Sequence, residues 1–87
     1  MKYAVVYRYA EEKSAIAETR PRHRAYLAGL HEQGKLHAAG PFAEDAGALI
    51  IYEADSPDEV EQLIAADPFR QAGVFADWTV HPWTKVF

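Results

Sequence analysis

The chain contains no cysteine, which removes disulfides, thiolate nucleophiles and sulfur-ligated metal centres from consideration. That absence fits a reducing, cytoplasmic setting. Positive charge is also in short supply. Nine Lys and Arg against thirteen Asp and Glu leave a formal net charge of −4, which argues against non-specific binding to nucleic acid or an anionic membrane. No apolar run reaches membrane length: Tyr3-Ala4-Val5-Val6-Tyr7 ends at Arg8 and lacks a small-residue cleavage site, so it reads as neither a span nor a signal peptide. A glycine-rich phosphate loop, a serine nucleophile elbow and an RNA-binding aromatic signature are all missing. Among the four histidines, His23 and His31 are offset around a predicted helix, and His37 and His81 fall on predicted strands, so none shows metal-ligand spacing. The expectation is chemistry, if any, without a metal or an organic cofactor.

What is present reads as one domain over residues 1–87. Hydrophobic residues make up 49% and charged residues 25%, the balance of an ordinary globular chain. Residues 2–9 read as a strand with Tyr3, Val5, Tyr7 and Tyr9 on one face. Residues 10–19 are polar and small, a connection long enough to act as a flap. A helix is predicted from Pro21 to Gln33, with Pro21 in the tolerated first turn and Gly34 as the stop. Leu36–Phe42 and Ala48–Ala54 read as a hairpin around the turn Glu44–Gly47. Ser56-Pro57-Asp58-Glu59 opens a second helix through a capping box, running to about Ala66. An irregular turn over Asp67–Gly73 leads to a last strand, Val74–His81. The apolar tail Pro82–Phe87 is expected to pack on the body or on a partner.

The order β-α-β-β-α-β predicts an α+β, ferredoxin-like fold: a four-stranded antiparallel sheet with both helices on one face. The first strand has bulk on both sides, with Tyr3, Val5 and Tyr7 opposite Ala4 and Val6. The third strand repeats this, with Leu49 and Ile51 opposite Ile50 and Tyr52. A sheet apolar on both faces in so short a chain predicts a face-to-face homodimer.

Two polar residues fall on apolar stripes. Asp67 lies three residues after Ile64 and four after Leu63, in phase with the buried side of the second helix, and at its C-terminus the macrodipole opposes a carboxylate. His23 precedes Tyr26 by three and Leu27 by four on the first helix. Histidine suits proton transfer near neutral pH, and a nearby carboxylate would orient it. Arg20, Arg22 and Arg24 alternate around the same helix start, which reads as solvation or capture of a small anion.

Arg20-x-x-His23-x-x-Tyr26-Leu27, Gly40-Pro41, Asp67-Pro68-Phe69-x-x-Ala72-Gly73-Val74-Phe75 and Val80-x-Pro82-Trp83-x-Lys85-Val86-Phe87 together resemble the YciI-like (YCII-related) family, in order and nearly end to end. The resemblance implies a dimeric α+β barrel of two ferredoxin-like protomers. It also implies a pocket with a catalytic histidine and aspartate, which correspond here to His23 and Asp67. Relatives in the wider barrel group include cofactor-free enzymes acting on small cyclic or aromatic compounds, such as muconolactone isomerase and quinol-type monooxygenases. One branch of the family is associated with dehydrochlorination of a chlorinated hydroxyquinol. The short turn Ala43–Gly47 departs from longer members and bears on substrate range.

On this reading His23 is the general acid or base and Asp67 holds its tautomer, while Arg20 receives an anionic substrate oxygen. Tyr7, Tyr26, Phe42, Phe69 and Trp83 are candidates to line an apolar pocket. The residues leave two other readings open: a catalytically silent small-molecule-binding module, or a dimer in which His23 and Asp67 are a buried polar pair that specifies packing.

Overall fold

Alternation along the first strand decides which side of the sheet carries the core. In the computed structural model, which describes residues 1–87, β1 spans Lys2–Tyr9 and buries Tyr3, Val5, Tyr7 and Tyr9. β2 (Leu36–Pro41), β3 (Gly47–Glu53) and β4 (Phe75–Trp83) complete a sheet of order β2-β3-β1-β4, antiparallel throughout. Val5 pairs with Ile50 and Val80, and Tyr3 with Tyr52, so these side chains share the face that the helices cover. Against them pack Ile16 and Leu30 of α1 (Ser14–Glu32), Val60 and Ile64 of α2 (Pro57–Ala65), and Phe69 of α3 (Pro68–Gln71). The observed fold is the ferredoxin-like βαββαβ arrangement expected from the element order.

The first helix corrects the sequence reading. It begins at Ser14, so the connection shrinks to Ala10–Lys13 and Pro21 sits inside the helix instead of starting it. A mid-helix proline removes one backbone hydrogen bond and costs ~3 kcal/mol in isolation. Here the buried stripe Ile16, Thr19, His23 and Leu30 runs through the proline, and packing on the sheet overrides the local preference. The other end follows expectation. Gly34 takes φ 76, and the bonds from Lys35 N–H to the Leu30 carbonyl (2.8 Å) and from Gly34 N–H to the His31 carbonyl (3.1 Å) close a Schellman motif.

α2 starts as the motif predicts. Ser56 Oγ accepts from Glu59 N–H at 3.1 Å, while the Glu59 carboxylate reaches back to Asp55 N–H at 2.8 Å, one residue earlier than in the usual box. The turn after it is not irregular. Residues 68–71 form α3, and Gly73 at φ 77 lets Val74 N–H return to the Phe69 carbonyl at 2.9 Å, aiming the chain into β4.

The opposite sheet face carries Ala4, Val6, Leu49 and Ile51, with Val6 40% exposed, Ala4 and Leu49 half-buried and Ile51 buried. The tail does not fold back on the body: Val86 and Phe87 are exposed, as is Trp83 at the end of β4.

In the core, the Tyr7 and Tyr52 hydroxyls bond each other at 2.5 Å. Burial pushes both phenols far above the ordinary tyrosine range, with the neighbouring Tyr52 adding to the effect at Tyr7. Unfolded tyrosines ionise near 10. The folded chain therefore keeps protons that the unfolded chain releases above that pH, and stability falls as pH rises past it, by at most ~1.4 kcal/mol per pH unit for each group. Denaturation at pH 8 to 11 should show this decline, and Tyr7→Phe/Tyr52→Phe should flatten it. An equally steep decline in the double variant would rule out the pair as its source.

Candidate active site

Helical spacing on α1 places Arg20, His23, Arg24, Leu27 and His31 along one side, facing a cleft between that helix and the β2 edge of the sheet. The cleft has a volume of about 600 Å³. Leu27, Leu36, Ala48 and Ile50 give it an apolar lining, and Ala38–Pro41 border it along β2. It exists because β2 carries only small side chains after His37: Ala38, Ala39, Gly40 and Pro41 are all exposed, with nothing large enough to fill the space under α1.

His23 is buried at the inner end. Its ring lies flat on Phe69, centroids 3.9 Å apart and planes 8° from parallel, with Phe75 edge-on at 6.3 Å. Its Nδ1 is 2.7 Å from Asp67 Oδ1. A carboxylate only accepts, so Nδ1 carries the proton and the lone pair rests on Nε2, which has no partner within the chain. His23 lines the cleft while Asp67 is fully buried behind it.

The position of Asp67 corrects one step of the sequence argument. α2 ends at Ala65, the backbone turns extended at Asp67 (φ −71, ψ 129), and the same Oδ1 accepts from Phe69 N–H at 2.8 Å. Asp67 thus follows the end of α2 and is also the N-cap of α3, with Pro68 in the first helical position, so the α3 N-terminus offers its carboxylate a donor that the α2 C-terminus does not. Pro68 both stops one helix and starts the next, and only the first role is evident from the local sequence. Asp67 Oδ2 is buried with no partner, the one such side-chain atom in the chain.

Arg20 reaches the cleft and is held at its rim, Nη2 to Asp45 Oδ1 at 2.8 Å. Asp45 and Glu44 both adopt positive φ (52 and 63) in the short 3₁₀ turn Ala43–Asp45, a strained geometry for non-glycine residues. Lys13 Nζ donates to the Asp45 carbonyl at 3.1 Å and ties this turn down.

Of the proposed site residues, the cleft brings together Arg20, His23 and Phe69, with Asp67 directly behind. Tyr7 lies in the core with its hydroxyl on Tyr52. Tyr26 donates to the Leu63 carbonyl at 2.7 Å, and burial with the Asp67 charge nearby pushes its phenol up to about 12. Phe42 is 42% exposed beyond the end of β2 and, like Tyr7, Tyr26 and Trp83, is outside the cleft lining. Tyr9, Leu27 and His31 also line the cleft without having been expected there, and Arg24 joins Arg20 from the arginine cluster read as solvation or capture of a small anion. Arg24 carried a usable signal, lying one helical turn after Arg20, whereas Arg22 points elsewhere and is absent from the lining. No group of three or more His, Asp or Glu side chains converges with metal-binding geometry, and no helix is long and apolar enough to cross a membrane.

This architecture has relatives. Residues 1–84 match the YCII-related domain. Protein YciI of Escherichia coli O6:H1 is 34% identical over 93 residues, covering 91% of this chain and 95% of that protein. An uncharacterized protein of Haemophilus influenzae is 32% identical over 87 residues, covering 88% and 86%. Among solved structures, the 5-chloro-2-hydroxyhydroquinone dehydrochlorinase TftG of Burkholderia phenoliruptrix AC1100, in complex with 2,5-dihydroxybenzoquinone, superposes with a TM-score of 0.85 at 29% identity, covering 97% of this chain and 94% of that one. With the family domain spanning nearly every residue and the fold agreeing, the chain belongs to the YCII-related family.

Proposed function

We propose that this protein is a small enzyme that moves protons on a cyclic or aromatic metabolite, with His23 as the general acid–base and Asp67 as its fixed carboxylate partner. The observation that carries this reading is a buried His–Asp pair whose histidine, bonded to Asp67 through Nδ1, lines a cleft large enough for a small substrate. In this mechanism, Nε2 takes a proton from a substrate hydroxyl or an acidic C–H. Asp67 stabilises the imidazolium so formed, and the proton is then returned to a ring carbon or to solvent. On a chlorinated ring the C–Cl bond breaks and chloride leaves, so that HCl is lost overall and a quinone remains. Phe69 fixes the plane of the imidazole by stacking. Arg20 exchanges its Asp45 contact for an anionic oxygen of the substrate. Side chains alone suffice for such chemistry, so no metal or organic cofactor is invoked.

The substrate class we favour is a polyhydroxylated, halogenated ring. The likeness to a dehydrochlorinase that acts on a chlorinated hydroxyhydroquinone supports it, as do the cationic wall of Arg20 and Arg24 and the apolar lining of the cleft. A panel of chlorinated hydroxyhydroquinones, dihydroxybenzoquinones and lactones, read by product formation and thermal shift, tests this reading. Turnover should fall roughly 10²- to 10⁴-fold in His23→Ala. Thermal shifts across the panel without any turnover would make the protein a binding module instead.

Asp67→Asn separates charge from geometry. The amide oxygen can keep both bonds now made by Oδ1, and the amide nitrogen replaces the unpartnered Oδ2. The fold should hold, with a loss of about 1–3 kcal/mol for the buried unpaired donor. Turnover should nevertheless drop by orders of magnitude, because nothing then compensates the imidazolium. Combined with His23→Ala, the loss should scarcely exceed that of the worse single variant. Full activity in Asp67→Asn would exclude the carboxylate from the mechanism.

We also propose that the working unit is a homodimer in which a second copy covers Ala4, Val6, Leu49 and Ile51. An obligate interface of this kind buries on the order of 1,000 Å² per protomer, set against a protomer surface of 5271 Å². Sedimentation should give a dimer, and Leu49→Lys should aggregate or unfold it. A folded wild-type monomer at micromolar concentration would disprove the dimer.

A further inference from the structure

Tyr9 is the last residue of β1, and the sheet is irregular at that point. Arg8 pairs with Asp77, but Tyr9 pairs with Phe75, so β4 carries one extra residue opposite this step. Bulges of this kind re-aim side chains and recur beside active sites. The backbone here is pinned from both sides, by Tyr9 N–H on the Ala46 carbonyl at 3.0 Å and Ala10 N–H on the Val74 carbonyl at 2.8 Å. Where Tyr7, two residues earlier, points into the core, Tyr9 contributes to the cleft.

Its ring meets Phe69 edge-on at 5.8 Å and 80°, and Phe69 also stacks flat on His23 and meets Phe75 edge-on. Tyr9 and His23 therefore flank one apolar ring on the same cleft wall. Tyr9 is only 4% exposed, yet its hydroxyl has no partner within the chain. The hydroxyls of Tyr7, Tyr52 and Tyr26 are all committed to internal bonds. Tyr3 shares the lack but lies outside the cleft. The Tyr9 hydroxyl is thus a donor with no acceptor within the chain, open to solvent beside a histidine and two arginines that line the same cleft.

We propose that Tyr9 donates a hydrogen bond to a ring oxygen of the substrate, a phenolate or quinone oxygen, and holds it while His23 moves the proton; this rests on the acid–base reading above. Burial raises the Tyr9 phenol above the ordinary tyrosine value, with Arg20 and Arg24 pulling the other way. A raised phenol stays protonated at neutral pH and remains a donor. Charge builds on a ring oxygen as its proton leaves, so a preorganised donor there strengthens when it matters. Arg20 and Arg24 on the facing helix supply the counter-charge that selects an acidic ring over a neutral one.

The test is Tyr9→Phe, which removes one oxygen and keeps the ring that Phe69 and Phe75 pack against. The probe is 2,5-dihydroxybenzoquinone at neutral pH, with binding measured by calorimetry and turnover measured on the chlorinated hydroxyhydroquinone. Tyr9→Phe should weaken binding and slow turnover, each roughly 10- to 100-fold. Its melting temperature should be unchanged, because the hydroxyl has no internal partner to lose. In ¹³C-tyrosine-labelled wild type, the Tyr9 Cζ signal should move when the quinone is added. Binding and turnover of Tyr9→Phe equal to wild type, with His23→Ala inactive, would overturn the proposal and leave the acid–base reading standing. Weaker quinone binding in Tyr9→Phe with no turnover in any form would keep Tyr9 as the donor and remove the enzyme. Wild type that does not bind the quinone would overturn the proposal together with the substrate class.

Discussion

One oxygen organises this molecule. Asp67 Oδ1 accepts both from His23 Nδ1 on α1 and from the Phe69 backbone on α3, so a single acceptor links two helices and starts one of them. The consequences are geometric. Capping α3 sets the direction in which Phe69 leaves the backbone, and the stack of Phe69 on His23 then fixes the plane of the imidazole that the same oxygen orients. Neither contact alone would hold the ring. A hydrogen bond to Nδ1 permits rotation about its axis, and a stack permits sliding within the plane, but together they leave His23 one orientation. The free oxygen, Oδ2, shows that this arrangement is not simply optimal for stability, because a buried acceptor without a partner is destabilising. Such a group fits a site in which the carboxylate must respond to a charge that comes and goes.

The sequence carries the sheet and its partners almost completely, because strand periodicity is two and the chain punctuates itself with Gly34, Ser56-Pro57 and Gly73. It carries the phase of His23 and Asp67 for the same reason: helical periodicity gives direction even when the ends of a helix are misplaced. The start of α1 was not legible, since Pro21 looks like an opening residue unless one knows that Ile16 and Thr19 continue the buried stripe upstream. α3 was hidden because four residues are too few to show a period. Both errors concern what tertiary packing does to a proline, which local rules treat only as a boundary.

The cleft was less legible than the pair. Counting aromatics selects Tyr7, Tyr26 and Phe42 as readily as Phe69, because a residue type does not say whether its side chain fills space or borders it. The cleft is defined by absence: Ala38, Ala39 and Gly40 leave the region beneath α1 empty, and a run of small residues in a strand gives no sign of what stands opposite. Tyr9 was invisible for a related reason. Its alternation matches that of Tyr7, and only the register shift at the end of β1, which depends on β4 sixty-odd residues later, separates their fates.

The tyrosines make the general point that environment, more than identity, assigns a role. Tyr7 and Tyr52 satisfy each other in the core, Tyr26 ties α1 to the end of α2 through the Leu63 carbonyl, and Tyr9 is left with a donor to spare in a cleft. The first three use the polar end of the ring to remove a desolvation cost that burial would otherwise impose. Tyr9 makes no such internal bond, and its hydroxyl keeps contact with solvent. Asp67 Oδ2 is the one buried side-chain atom without a partner, and Tyr9 is the one cleft-lining tyrosine whose hydroxyl has no bond within the chain; packing alone explains neither. Tyr9 and His23 both pack on the ring of Phe69, and Asp67 holds the histidine from behind. The economical account is that a ligand supplies the partner Tyr9 lacks, while Asp67 acts on that ligand only through the imidazole it orients.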